Sequence, residues 1–106
     1  MAYRAEITDL AESELKAIRT FDRRRMVDEL LGQLTHQPTA AARNRKRLDA
    51  ALPDFEHTPP IWELRVGEYR VFYDVDEDQQ TVYVRAVRRK GQDQTTEEVI
   101  HERSDS

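Results

Sequence analysis

The chain has 106 residues, 38% of them apolar and 36% charged, and its 17 basic and 21 acidic side chains give a net charge of −4. That length supports a single domain, 1–106, because a second unit would be too small to bury its own core. The absence of cysteine excludes disulfide scaffolds, thiolate nucleophiles and Cys-containing metal sites, and no apolar run reaches the roughly 20 residues a membrane helix needs.

Residues 2–7 alternate weakly, with Tyr3, Ala5 and Ile7 on one face, and predict a short first strand. Thr8 or Asp9 can cap a helix carrying Leu10, Leu15 and Ile18. Asp22 is the expected cap of a second helix, whose Met26, Val27, Leu30, Leu31 and Leu34 fall at helical spacing, with Pro38 as its stop. The two form a helical hairpin. Residues 37–60 lack periodicity and carry all four prolines, so an extended connection is expected, with a short helical turn around Ala40–Arg45.

The remainder alternates with period two. Trp62, Leu64 and Val66 precede a Gly67-Glu68 turn, Tyr69, Val71, Tyr73 and Val75 precede a polar turn at 76–80, and Val82, Val84 and Ala86 follow it. Three such strands make an antiparallel meander. The fold class is therefore α+β: an N-terminal strand, a helical hairpin and a three-stranded meander in one twisted sheet, with both helices on one face. Period two then sends Glu63, Arg65, Arg70 and Arg85 to the opposite, open face. Thr95 and Glu98 have capping-box spacing, which allows one or two helical turns in the tail.

Charge is distributed unevenly. Residues 91–106 carry five acids and one base, whereas residues 1–90 balance, so 93–106 reads as an acidic, partly flexible tail. Bases cluster at Arg23–Arg25, at Arg43–Arg47 and at Arg85–Lys90. The overall acidity argues against binding nucleic acid with the whole surface and leaves a local basic groove open. The N-terminal ten residues lack the apolar segment of a signal peptide, and a soluble cytoplasmic protein without membrane contact is expected. His36 and His57 stand alone, with no metal-ligand spacing.

The string from Trp62 to Tyr73, WELRVGEYRVFY, resembles the W-x-L-R-V-G-x-Y-R-V-x-Y core of the RelE/ParE toxin superfamily. Arg43-Asn44-Arg45-Lys46-Arg47-Leu48 is similar to the basic segment that precedes this core in many members, and Val82–Lys90 is similar to the last strand and the bases after it. The resemblance spans nearly the whole chain. It implies a toxin of a bacterial type II toxin–antitoxin pair, neutralised by a cognate antitoxin protein. RelE-like members cut messenger RNA on the ribosome and ParE-like members poison DNA gyrase; the wording of the core favours the RelE-like side.

Such RNA cleavage needs a base for the 2′-OH proton, cations around the phosphorane-like centre and an acid for the leaving 5′-oxygen, with no cofactor and no metal. By resemblance, Arg70 is the arginine that grips the phosphate, a task suited to a permanently charged fork. Arg65 matches the L-R arginine and either contacts substrate or pairs with Glu63 or Glu68. Lys90, with Arg89 beside it, falls where the family has a basic catalytic residue. Arg45, Lys46, Arg47, Arg85, Arg88 and Arg89 are the expected RNA-backbone contacts, although a charge run also serves as a solvated face.

Two departures stand out. The RelE prototype has lysines on the strand of Trp62, where this chain has Ile61 and Glu63. Glu63 can act as a general base or simply neutralise the face. The prototype's C-terminal tyrosine is replaced by Val99-Ile100-His101, in which His101 has an ordinary pKa of about 6.5, suited to acid–base work. The residues thus leave three functions: a metal-independent ribosome-dependent endoribonuclease, a gyrase inhibitor, or a catalytically weak member that binds its antitoxin and regulates its operon.

Overall fold

The computed structural model describes residues 2–49, 53–91 and 94–101. In chain order the elements are β1 (Arg4–Ile7), α1 (Asp9–Lys16), α2 (Thr20–Leu34), β2 (Arg45–Leu48), β3 (Ile61–Val66), β4 (Tyr69–Asp76), β5 (Thr81–Arg89) and α3 (Thr96–Ile100). The strands form one five-stranded sheet in the order β1-β5-β4-β3-β2. Only the β1–β5 pairing is parallel.

Thr8 is the cap of α1, its hydroxyl oxygen accepting the Ala11 N–H at 3.4 Å. The same hydroxyl donates to the Val84 carbonyl at 2.9 Å, so the turn out of β1 is tied to β5. The second helix begins before Asp22, with Arg19 at the cap position and no side-chain cap bond. Asp22 instead lies in the first turn, where its charge favours the helix dipole. Met26, Leu30 and Leu34 are its buried stripe. With Ala11 and Leu15 they pack on Trp62, Leu64, Val66, Val71, Tyr73, Val82, Val84 and Val87, the inward residues of β3, β4 and β5.

Three expectations are corrected. The segment expected as a helical turn around Ala40–Arg45 is instead a tight non-helical turn at Arg43-Asn44, and residues 45–48 of the expected extended connection are a strand, β2, paired antiparallel with β3. Its sequence RKRL has no apolar alternation because it is a sheet edge, where charge deters further strand pairing. The second correction concerns β5. A bulge at Phe72/Tyr73 pairs Phe72 with Ala86 and Tyr73 with Val84, which leaves Arg85 unpaired and shifts the alternation. Val87, not Ala86, therefore joins the helix-side core.

The third correction is that the other sheet face is not open. Phe55, Ile61, Phe72, Ala86, Val99 and Ile100 form a second core there, with Leu48 against it. The segment read as a tail supplies α3, and the Thr95/Glu98 capping box is formed as its spacing predicts. Asp93 and residues 102–106 lie outside the described residues.

Candidate nucleic-acid interface

The second core covers only part of that face. Beyond it, towards the β3–β4 turn, the register places Lys46 opposite Glu63 and Arg65 opposite Arg70. Gly67 makes this turn possible, because its φ of +58° lies where a side chain is strained. The Arg43-Asn44 turn is fastened from two sides: the Asn44 carbonyl accepts the Arg65 N–H at 2.7 Å, and the Asn44 amide donates to Gln33 of α2 at 3.0 Å. On the far side the Lys90 N–H bonds the Glu68 carbonyl at 2.8 Å, holding the end of β5 beside the turn.

The result is a groove of about 200 Å³ that brings together Arg43, Lys46, Glu63, Arg65, Arg70 and Lys90, with Arg45, Asn44 and Thr96 on its walls. Six cations face one carboxylate. Among the described residues Arg43, Arg45, Arg65, Arg70 and Lys90 make no ion pair. The Arg70 guanidinium donates from Nη1 to the carbonyls of Gly67 (3.1 Å) and Tyr69 (3.0 Å). Burial lowers its pKa from the usual 12.5, the Glu63 charge opposes that shift and the Arg65 charge adds to it. An arginine remains charged through such a shift.

The other expected contacts divide. Arg89 pairs with Glu68 at 3.3 Å on the outer rim, in a shallow depression that shares Arg70 and Lys90 with the groove. Arg47 is exposed and held by Asp49 at 2.6 Å, outside the groove.

Arg85 and Arg88 are corrections. The Arg85 fork grips Asp74 through Nε (2.7 Å) and Nη2 (3.2 Å), and its side chain is only 13% exposed. Arg88 is 5% exposed. It donates to Glu14 at 2.8 Å and to the carbonyls of Val99 and Ile100 at 3.0 Å each. Both stabilise the interior, and neither lines the groove. Arg85 lies on the face that period two assigns, but that part of the face is covered: Glu56 and Asp74 engage Arg85, and Phe55, Val99 and Ile100 enclose Arg88. His101 is the cap residue at the C-terminal end of α3 and does not line the groove either.

Three wall residues escaped sequence reasoning as site residues. Arg43 was visible in the basic segment, and Asn44 in its turn. Thr96 had no local signal, since only tertiary packing brings its hydroxyl to Glu63, at 3.1 Å. No three His, Asp or Glu side chains converge as a metal-binding set among the described residues, and no described helix is long and apolar enough to cross a membrane.

A small mixed sheet backed by a helical hairpin, with a cation-lined groove at one end of its other face, defines an α+β domain with a locally basic surface. Residues 5–94 match the sequence pattern of the ParE toxin of the type II toxin–antitoxin system parDE, so the chain belongs to that family, within the RelE/ParE superfamily of toxins. Solved structures agree on the fold. The RelBE2 toxin–antitoxin complex from Mycobacterium tuberculosis is similar with a TM-score of 0.67 and 22% identity, over 85% of this chain and all of that one. The archaeal RelE–RelB complex from Pyrococcus horikoshii gives 0.65 and 22%, over 87% and 99%. An arginine-to-alanine double mutant of the free Escherichia coli toxin RelE gives 0.64 and 21%, over 87% and 86%. No functionally curated protein sequence matches the chain.

Proposed function

We propose that this toxin is a ribosome-dependent messenger-RNA endoribonuclease that inhibits translation in the cytoplasm and uses no metal cofactor. The observation that carries the reading is the convergence of Arg65, Arg70 and Lys90 on one groove, without carboxylate partners for any of the three among the described residues. Cations without ion-pair partners, Arg70 and Lys90 among them half-buried, are matched to a phosphate whose charge grows in the transition state. Arg70 holds the non-bridging oxygens with its fork. Arg65, directly across the ladder, supports the developing dianion. As the 2′-oxygen bonds to phosphorus its proton passes to solvent water, and Lys90, closing the far wall, supplies a proton to the 5′-oxygen as its bond to phosphorus breaks. The Arg43–Arg45 turn tracks the adjoining backbone, a salt-sensitive role.

The partner under this reading is a cognate antitoxin protein, as in the RelE–RelB complexes this fold resembles. The test is induced expression in cells lacking the neighbouring gene, with messenger-RNA 5′ ends mapped by primer extension. New ends within translated frames, absent for Arg70→Ala, are the expected result. Growth arrest with uncut RNA defeats the reading.

One finding favours a second reading. The matched family is described by its ParE toxin, which suggests a gyrase inhibitor. Gyrase-linked DNA breaks after induction, with intact messenger RNA, would select it.

A further inference from the structure

Glu63 is the one carboxylate among the residues lining the groove, and its side chain is only 6% exposed. An ionised carboxylate at that depth is costly unless its oxygens are partnered. They are: Oε1 faces Lys46 Nζ at 3.7 Å, and Oε2 accepts the Thr96 hydroxyl at 3.1 Å. Lys46 stands directly opposite Glu63 in the β2–β3 register, so the backbone itself holds the pair together. With each oxygen engaged and little surface reachable from the groove, Glu63 is poorly placed to take a proton from a bound 2′-hydroxyl.

We infer that Glu63 is a positioning residue that serves as the groove's internal anion: it occupies Lys46 where an RNA phosphate would otherwise do so, and limits how many phosphates the groove holds. The inference rests on the RNA reading above. A polyanion entering the groove competes with Glu63 for Lys46. It meets no ion-paired carboxylate at Arg43, Arg65, Arg70 or Lys90 among the described residues, the Glu63 charge reaching Arg70 only as a longer-range attraction. Grip is thus concentrated at the Arg65–Arg70–Lys90 end, where cleavage is proposed, and discounted at the Lys46 end.

The probe is a short single-stranded 2′-O-methyl RNA, which cannot be cut, with binding followed by fluorescence anisotropy across a salt series. Glu63→Gln keeps an acceptor for Thr96 and removes the charge. One additional neutralised phosphate steepens the slope of log K against log salt by about 0.7, equivalent to about fivefold tighter binding at 0.1 M salt. That is the expected result for Glu63→Gln, and it disappears in Glu63→Gln/Lys46→Gln. Glu6→Gln, which makes the same change in net charge on the remote strand β1, leaves the slope unaltered. Lys46→Gln alone also keeps the wild-type slope, since its ammonium is already occupied, and this exposed position provides the test if Glu63→Gln does not fold. An unchanged slope in folded Glu63→Gln overturns the inference, as does a slope shallower by about 0.7 in Lys46→Gln. Wild type that binds while Glu63→Gln gains nothing defeats this inference alone; no binding by any variant defeats the RNA reading with it.

Discussion

Arg65 and Arg70 stand directly opposite each other across the β3–β4 ladder, two like charges in the position where opposite charges would stabilise the sheet. Such pairs cost up to about 1 kcal/mol. The sheet tolerates this one next to Glu63, whose charge supports Arg70. Local conflicts of this kind are concentrated at functional sites. Arg65→Gln is expected to raise stability by up to about 1 kcal/mol while weakening growth arrest. Arg70→Ala should abolish arrest and change stability by no more than about 0.5 kcal/mol. Urea unfolding midpoints beside growth curves check both. A large loss of stability in Arg70→Ala would assign that residue to the scaffold.

Arg88 behaves in the opposite way. Beyond Val84 the edge of β5 is no longer paired with β1, and Glu14 of α1 takes over by accepting the Val87 N–H at 2.9 Å and the Arg88 side chain. Arg88 then reaches the last carbonyls of α3, joining the two sides of the sheet. Removing one partner of a buried pair leaves the other charge unpaired, at a cost of about 3–5 kcal/mol. Arg88→Ala should lose that much in denaturant unfolding, whereas Glu14→Ala should lose less, because Asp54 stands 3.7 Å from the Arg88 guanidinium and still faces its charge. Against a typical domain stability of about 5–15 kcal/mol, the Arg88 variant approaches unfolding at 37 °C. Replacing both by Met and Leu should recover most of the loss.

Where one residue's neighbours decide its place, the sequence was legible. Met26, Leu30 and Leu34 face the sheet as helical spacing requires, and Tyr69, Val71 and Tyr73 face them as period two requires. Arg65 and Arg70 reach one groove for the same reason. What stayed hidden was nonlocal. The bulge that brings Val87 rather than Ala86 to the helix-side core depends on β4 pairing, and no residue of β5 announces it. Strand β2 is stabilised on one side only, so it carries charge where a strand pattern would carry apolar residues. Closure of the second face required two dispersed hydrophobic contributions, Phe55 from a proline-rich loop and Val99-Ile100 from an acidic tail, to meet on Phe72.

That closure makes α3 testable. Five residues are too few for an independent helix in water, so α3 depends on Val99 and Ile100, both fully buried against the sheet. Ile100→Ala should cost about 2–5 kcal/mol, the range for a large aliphatic side chain removed from a packed core. The same change loosens Thr96 from Glu63, so amide exchange in α3 should accelerate more than exchange in α2. Equal acceleration in both helices would show that α3 is not a separately docked element.

Tyr73 sets the alkaline limit. Its ring lies fully buried, stacked on Trp62 with ring centroids 6.3 Å apart, and its hydroxyl donates to the Pro38 carbonyl. Burial raises its pKa well above the usual 10.0, with nearby Arg45 opposing the shift. The folded chain therefore holds this proton more tightly than the unfolded chain does. The contribution is complete below pH 10.0, and it declines as pH rises from there towards the folded pKa, because the unfolded state ionises first. Tyr73→Phe removes the titrating group. Its stability should fall by about 1–3 kcal/mol at pH 7, since the buried Pro38 carbonyl loses its donor, yet decline less steeply than wild type between pH 10 and 11. Parallel declines in urea midpoint over that interval would place the alkaline limit on another group.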